Sequence, residues 1–541
     1  MSEPLPLIIG VTGHRDLLPD EVPQLTQKIE GFFSDLSRQY PDLPLLVMSG
    51  AAAGADTLVV HTAAKLGHTV MNVLPMPYDE YAKDFDAQGQ AELSELITQH
   101  ETLTLPTAPE EFTNNRDRLY ERAGIFIASH CHILLALWDG KQKKAVGGTS
   151  TIVQFHQSGI SSLSGLENTR SRIDVADDES DLVHHIVCSR VSDGAPQAPL
   201  SPSESYWYTR DEIAPRTAEL PPRYQAVLQR MSLFNKDLFD AGADGDDNLF
   251  DVADKLAQVY QRKTLWTLRT TIGAALAAGL SFIIYADLLS HPTFMAAYFL
   301  FVALALGSYR LAQRKDWQRR YLDYRLLAES LRVQHFWSKA GVQMARADEF
   351  AHDQLMRGRD LELGWIRNAM RHAGLRSNAQ TSKDDAALQD VIEHWIDDPQ
   401  QGQVAYFIGA VHRKTKQHQN NQRWITICFI ATLMTSGILA LGGSTIGDTV
   451  GDWLIGLTGL LPLIAAARQN YAYRRAEREL LGQFGHMKKI FLTAAHLLDQ
   501  ATSNEEKRII LRDLGEAAMA ETGEWILRQR ERPLPGGEPL G

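Results

Sequence analysis

Residues 49–60 read SGAAAGADTLVV, and the fold of the first part of the chain turns on them. They follow an apolar run, Leu45 to Met48, and lead into a segment of helical spacing at 55–66. Strand, glycine-rich turn and helix, in that order, place a helix N-terminus at the edge of a parallel sheet. Free backbone N–H groups and the helix dipole favour an anion there, and Gly lets the backbone approach it closely. Gly and Ala in such a turn also serve plain close packing, so the stretch alone leaves both readings open.

Working outward, the pattern repeats. Strands are predicted at 6–12 (PLIIGVT), 45–48, 69–74, 132–138 (HILLALW) and near 185–191. Helices are predicted at 21–40, 55–66, 87–99, 116–129 and near 149–158. Alternation of this kind gives a parallel sheet with helices on both faces, which binds ligands beyond the C-terminal ends of its strands. Three loops fall at those ends: Thr12-Gly13-His14-Arg15-Asp16, the opening stretch, and Trp138-Asp139-Gly140 running on to Gly147-Gly148-Thr149. The candidate ligand-binding residues are therefore Gly13, Arg15, Ser49, Gly50, Gly54, Asp56, Asp139, Gly147, Gly148 and Thr149. Ser49 and Gly50 are expected nearest a phosphate, with Ser49 and Thr149 as hydroxyl donors and Arg15 as a guanidinium fork. Gly54 and its neighbouring alanines are expected to serve packing. Asp56 and Asp139 can take a ribose hydroxyl, and Asp56 can instead cap its helix. Lys141, Lys143 and Lys144 form either a basic flap over a phosphate or an exposed turn. Arg116 and Arg118 face either the cleft or solvent. Neither a G-x-G-x-x-G fingerprint nor a Walker lysine is present. His130-Cys131-His132 and His184-His185 look like metal ligands by composition, but alternation along a strand sends neighbours to opposite faces, so no metal site is expected.

VTGHRDL, SGAAAGADTLVVHTAA and LLALWDG…GGTSTIV together resemble the SLOG superfamily, over about residues 1–192. That superfamily includes DprA-like DNA-processing proteins, LOG-type nucleotide phosphoribohydrolases and the ligand-sensing region of TRPM channels. The middle motif is similar to the DprA-like SG-x-A-x-G-x-D, here Ser49, Gly50, Ala52, Gly54 and Asp56, with His61 placed differently. LOG enzymes carry G-G-x-G-T-x-x-E, whose Glu supports hydrolysis of an N-glycosidic bond. This chain has Ser150 for the third Gly and Gln154 for the Glu. An amide is no general base and stabilises no oxocarbenium by charge. The resemblance thus implies a nucleotide-derived ligand, sensing rather than catalysis, and no catalytic residue or cofactor.

The chain has 541 residues and a net charge of −12. The length suits about three units, and the first part has no Lys/Arg-dense face for duplex nucleic acid. Cys131, Cys188 and Cys428 lie too far apart for a disulfide framework, which fits a reducing compartment. MSEPLPLIIGVTG lacks a basic n-region and a long apolar h-region, so no cleaved signal peptide is expected.

A mildly polar mean hydropathy hides a sharp division. Four apolar segments, 270–289, 293–312, 424–443 and 450–467, each approach the ~20 residues that a bilayer core requires. No charge interrupts Thr270 to Ala286. The short links around Ser290-His291-Pro292 and at GGSTIGDTVGD make two hairpins. Arg262, Lys263, Arg314, Lys315, Arg423 and Arg474 are among the bases flanking the open ends, while the tips hold only Asp287, Asp448 and Asp452. By the positive-inside rule the tips lie outside, and both termini are cytoplasmic. Gly273 with Ala277 and Ala275 with Gly279 offer small-xxx-small contacts, and Pro462 should kink the fourth span.

The hairpins read as a repeat. Each is followed by an Arg-rich amphipathic helix expected to run straight out of the membrane, 309–337 and 471–498, with matching pairs Ala328-Glu329 and Ala476-Glu477. A polar helical segment, 341–420, broken near Ser377–Ser382, lies between them and contains WIDDPQQGQVAYF (395–407). YRLLAESLRVQHFW after a hairpin, with the Trp395 helix, resembles the two-transmembrane SLATT effector domains of bacterial conflict systems, in tandem over about 260–500. The second copy has GQFGHMKKIF instead of LRVQHFW. That resemblance implies membrane perturbation.

The expected fold class is thus an α/β N-terminal domain, a Rossmann-like parallel sheet. An all-α membrane region of two transmembrane hairpins with long cytosolic helices follows it. The expected division is 1–192 sensor, 193–262 linker and coupling helices, 263–345 first hairpin and its helix, 346–420 cytosolic segment, 421–500 second hairpin and its helix, 501–541 tail. The expected partners are a nucleotide-derived ligand, the lipid of an inner cell membrane and further copies of the chain. The expected function is antiviral defence by a ligand-controlled membrane effector. A membrane-tethered nucleotide hydrolase or nucleosidase and a ligand-free membrane scaffold are the alternatives.

Overall fold

Leu7–Gly13, LIIGVTG, forms the first strand, β1, with every side chain from Leu7 to Val11 buried. Such an unbroken apolar run suits a strand covered on both faces. In the computed structural model, which describes residues 4–143, 146–158, 182–209, 215–242, 248–342, 350–355, 363–378, 384–400, 402–442 and 446–530, the chain divides into two compact units. These are Met1–Val252 with Glu329–Leu388, and Ala253–Ala328 with Gln389–Gly541.

The first unit continues with α1 (Val22–Gln39), β2 (Leu45–Ser49), α2 (Ala55–Lys65), β3 (Thr69–Leu74), α3 (Tyr78–Tyr81) and α4 (Ala87–Gln99). Next come β4 (Glu101–Thr104), α5 (Glu111–Asn114), α6 (Arg116–His130), β5 (Ile133–Trp138) and α7 (Thr149–Ser158). Then follow β6 (Leu182–Val187), β7 (Ser205–Tyr208), β8 (Arg216–Thr217) and α8 (Pro222–Asp240). The strand order is β4-β3-β2-β1-β5-β6-β7-β8, parallel through β6 and antiparallel at β7 and β8. The chain winds from β1 out to β4, then returns to lay β5 on the other side of β1. The topological switch point therefore lies between β1 and β5, where Gly13 pairs with Leu137.

Helix α1 buries Leu25, Ile29, Phe32, Phe33 and Leu36, one stripe at helical spacing. Its Phe32 stacks on His184 at 4.4 Å. On the opposite sheet face, Phe126 and Ile127 of α6 and Ile152, Val153 and Phe155 of α7 share one core with Ile8, Leu134 and Trp138. Neighbours His184 and His185 part accordingly, His185 lying 5.3 Å from the Trp138 ring. The sheet runs past the expected boundary at 192, because β7 and β8 extend it within the segment expected to be linker. Strand β6 begins and ends earlier than expected, and residues 160–181, read from the sequence as a loop, lie outside the described residues.

The helices α9 (Leu249–Ile283, closed by a π turn, Ile284–Leu288), α10 (Pro292–Lys315) and α11 (Trp317–Ala340) follow. After them come α12 (Gly364–Asn378), α13 (Asp385–Val391), α14 (Gln403–Gly442), α15 (Asp448–Arg474), α16 (Glu477–Gln500) and α17 (Asn504–Arg530). The expected cytosolic segment 346–420 is divided, for α12 belongs to the first unit. There Arg371 donates to Cys131 O at 3.0 Å, and Arg376 forks onto Glu101 at 2.9 and 3.0 Å. Residues 379–383, around the expected break, lie outside the described residues.

Among the described residues, four helical stretches, lying for the most part in the second unit, are long and apolar enough to cross a membrane. Only 6–17 % of their apolar windows is buried within the protein, so most of that surface requires another apolar medium. Thr271 and Ser308 hydroxyls meet at 2.8 Å between α9 and α10, and Arg468 donates to Asn421 at 3.1 Å between α15 and α14. The small-residue expectation holds for Gly279 alone: a Cβ there would lie 2.4 Å from Leu463 of α15, whereas Gly273 has nothing within 4 Å. Helix α15 continues through Pro462.

The two hairpin regions match in some of their lengths. The first stretches, Leu249–Leu288 and Gln403–Gly442, each have 40 residues, and α11 and α16 each have 24. The outgoing helices do not run straight, as expected, but break at Asp316 (φ 51°) and Ala476 (φ 50°). These two left-handed residues correspond, so Ala476-Glu477 stands at a break while Ala328-Glu329 lies inside α11. That pairing is out of register.

Candidate functional site

Strands β1, β2 and β5 are adjacent, so the three loops share one edge of the sheet. The structure gives them different states.

The middle loop is filled by its own side chains. Ser49 is wholly buried; its Oγ donates to Asp56 Oδ2 at 3.0 Å and accepts from Ala51 N at 3.1 Å. The Asp56 carboxylate also takes backbone N–H groups of Gly50 and Ala52. Burial raises its pKa to about 6, against the lowering pull of Ser49, these amides and Arg15. The loop's donors are thus spent on an internal carboxylate. Ser49 as a phosphate donor, and Gly50 beside it, are corrected: Gly50 O accepts from Tyr81 Oη at 2.9 Å, and a Cβ on Gly50 would stand 3.3 Å from Asp56. Asp56 is a structural anion of this loop and makes no capping bond to α2.

Gly13 and Gly54 pack the backbone. A Cβ on Gly13 would fall 2.3 Å from Ala55 Cβ, and one on Gly54 (φ 83°) 2.3 Å from Arg15 O. Ala55 N donates to His14 O at 3.0 Å, locking the first two loops together. Arg15 remains exposed, its guanidinium 5.0 Å from the Tyr120 ring centre. Arg116 faces Asp84, with Nε 2.9 Å from both carboxylate oxygens, while Arg118 is exposed.

The third loop leaves one buried acceptor over. Asp139, 1 % exposed, accepts Lys141 N at 3.0 Å on Oδ1. His14 Nε2 accepts the Asp139 N–H at 3.1 Å and lies 3.2 Å from Oδ1. Burial lowers the His14 pKa, partly opposed by Asp139. Asp139 Oδ2 has no hydrogen-bond partner among the described residues. Gly147 (φ 69°) turns the chain closely over α6, where a Cβ would sit 3.0 Å from Glu121 N. Gly148 O accepts from Thr151 and Ile152 at 2.9 and 3.1 Å, starting α7. A helix start leaves its first N–H groups without intrahelical partners, here those of Thr149 and Ser150. Lys141 and Lys143 are both tied to Asp193, at 3.4 and 2.6 Å, and Lys144 lies outside the described residues. On the flank, burial raises the Asp16 carboxyl, but bonds from Ser192 and Arg190 outweigh it and bring it down to about 2.

His14, Tyr81, Tyr120 and Glu121 are not among the residues the sequence singles out. Position in the first loop pointed to His14. Glu121 is a wholly buried carboxylate at i, i+4 and i+7 with Ile125 and Ala128, the buried face of α6. Gln154 lies exposed on α7. His130 and His132 engage separately: His130 Nδ1 meets Phe126 O at 2.8 Å, while His132 accepts Ile8 N and donates to Asn368 O. A groove of about 510 Å³ lies away from the third loop, along α1 and α2, and shares only Arg15 and Gly54 with the candidate residues. It is open and mostly apolar, and the polar chemistry is at Asp139 instead.

Fold and site together define a class: a mostly parallel α/β domain with an acidic and glycine-rich switch-point edge, in one chain with, among the described residues, four long apolar helices. No family model, no curated protein and no solved structure matches the chain.

Proposed function

We propose that the chain is a ligand-controlled membrane effector. Its α/β domain binds a nucleotide-derived ligand at the third loop, with Arg15 alongside. The four apolar helices form two transmembrane hairpins that perturb or perforate a bacterial inner membrane when the ligand binds. Both termini are cytoplasmic, the working form is a homo-oligomer, and the setting is antiviral defence. The SLOG and SLATT resemblances supply this reading.

The observation that carries it is the coexistence, in one chain, of Asp139 at the switch point, with one buried carboxylate oxygen unpartnered among the described residues, and four helices with few buried apolar faces. A ligand controls such a protein only if it binds one arrangement more tightly than the other. Purified protein in dye-loaded liposomes is the test: ribonucleotides should trigger release, and Gly148→Val should abolish it. Liposomes that stay sealed with every nucleotide, with wild type and variant alike, would sink the reading. One observation favours a nucleosidase instead: the α/β domain holds two buried carboxylates, Asp139 at the end of β5 and Glu121 on α6, whose backbone lies against Gly147. Free base released from nucleotide by the wild type but not by Asp139→Asn would establish it.

A further inference from the structure

Two carboxylates stand at the ligand edge, and their hydrogen bonding differs. Asp56 is satisfied by Ser49 and by the amides of Gly50 and Ala52. Asp139 has one oxygen engaged and the other, Oδ2, buried without a partner among the described residues. A buried acceptor left unmade costs free energy, and a native structure retains one where something else completes it.

The position narrows what completes it. Asp139 follows β5 at the switch point and is braced by His14 from the end of β1. Around it lie donors for anions: the first turn of α7, and Lys141, Lys143 and Arg190. Each of these cations has a carboxylate partner, Asp193 or Asp16, which an anionic ligand group can displace. On the nucleotide reading the ligand is anionic, and a neutral donor on it is the group that suits Asp139. A sugar hydroxyl beside a phosphate meets both demands, and an acidic side chain at a sheet edge is a suitable acceptor for a ribose hydroxyl.

Resting on the nucleotide reading above, we infer that Asp139 Oδ2, oriented by His14, accepts one of the two secondary hydroxyls of a ribose, so that the site selects ribonucleotides over their deoxy counterparts. Asp193 ties Lys141 and Lys143. A ligand phosphate competes with Asp193 for the same two lysines.

The test uses the full-length protein in detergent and calorimetric titration. The probes are the four ribonucleoside 5′-monophosphates and 5′-triphosphates and their 2′-deoxy and 3′-deoxy counterparts. The expected result is that a ribonucleotide binds and that one of its deoxy forms binds about tenfold or more weakly, the size of a hydrogen bond to a charged acceptor. Asp139→Asn should close most of that gap, and His14→Gln should narrow it. Asp193→Asn should tighten binding of ribo and deoxy forms alike. Equal binding of ribo and both deoxy forms overturns the inference and leaves the nucleotide reading standing. So does a gap that survives in Asp139→Asn. Binding of no nucleotide by the wild type overturns the nucleotide reading, and the inference with it. Should Asp139→Asn not fold, the wild-type comparison and His14→Gln decide.

Discussion

Ser49 donates its hydroxyl to Asp56 at 3.0 Å, and with that bond the glycine-rich loop supplies its own anion. The carboxylate sits where a bound phosphate would take the loop's amides. Its pKa is raised to about 6 from an ordinary 3.8, so between these values the folded state holds a proton that the unfolded state has lost. Stability from this group is greatest below pH 3.8 and falls as pH rises towards 6. Above that it is a fixed cost, on the order of 3 kcal/mol. Asp56→Asn should therefore compare better with wild type at pH 7.5 than at pH 4.5 in thermal denaturation. An equal difference at the two pH values contradicts the buried-charge account.

Gly54 closes the same loop by backbone alone. Its φ of 83° and the Arg15 carbonyl 2.3 Å from a would-be Cβ leave no place for a side chain. Backbone strain costs about 1–3 kcal/mol, and the clash adds to it. Gly54→Ala should lower stability by about 2–4 kcal/mol, measured by denaturant unfolding. Gly67, also at positive φ but with nothing within 4 Å, should tolerate Ala at a smaller cost of about 1 kcal/mol. Equal costs would mean that the Arg15 contact does not matter.

These two residues also show what the sequence makes legible. Strand, turn and helix around SGAAAGAD follow from apolar runs and glycine, and so do β1, β2, β3 and β5. Short polar strands escape that pattern: β4, ETLT, lies half in solvent, and β8 is only two residues long. At the site, residue type places Asp56 and Asp139 at one edge but says nothing of their partners. Ser49 satisfies one, whereas Oδ2 of the other is left over, and only three-dimensional hydrogen bonding separates them. His14 and Glu121 depend on contacts across the sheet and with Gly147, which no local spacing encodes.

Helix α12 docks through neutral histidines. His132 Nε2 donates to Asn368 O at 3.1 Å, and burial holds His130 and His132 well below the usual imidazole pKa. His372 is lowered to about 4. Arg371 adds to the lowering at His130 and His132, whereas Asp353 opposes it at His130. Folded pKa values below 6.5 mean that the undocked state binds more protons, so stability is lost as pH falls through 6.5. Hydrogen exchange over 364–378 should be slow at pH 7.5 and, corrected for intrinsic rate, markedly faster at pH 5. His132→Gln should flatten that dependence. Protection that stays constant with pH would show that the histidines do not govern docking.

Leu433 on α14 is 76 % exposed within the second unit, beside exposed Ile430 and Met434. If lipid covers this face, a charge there is costly, about 2.5–3.5 kcal/mol at the centre of a span. Leu433→Lys should reduce membrane-inserted protein severalfold in cell fractionation. Lys416→Arg, a charge-conserving change at a position already basic and close to the open end, provides the silent control. Normal insertion of Leu433→Lys argues for water or protein on that face.

The matched breaks at Asp316 and Ala476 offer a last test of the repeat. An alanine at φ 50° pays about 1–2 kcal/mol that glycine avoids, whereas aspartate tolerates the region better. Against this, glycine gives the unfolded chain more freedom, worth about 0.5–1 kcal/mol. Ala476→Gly should thus be neutral to stabilising by up to about 1 kcal/mol, while Ala476→Val, branched and still left-handed, should destabilise by 2 kcal/mol or more. Asp316→Gly should change little. The readout is thermal unfolding of the detergent-solubilised chain. If valine at 476 is as stable as glycine, the outgoing helix runs on straight in solution, and the break is no element of the repeat.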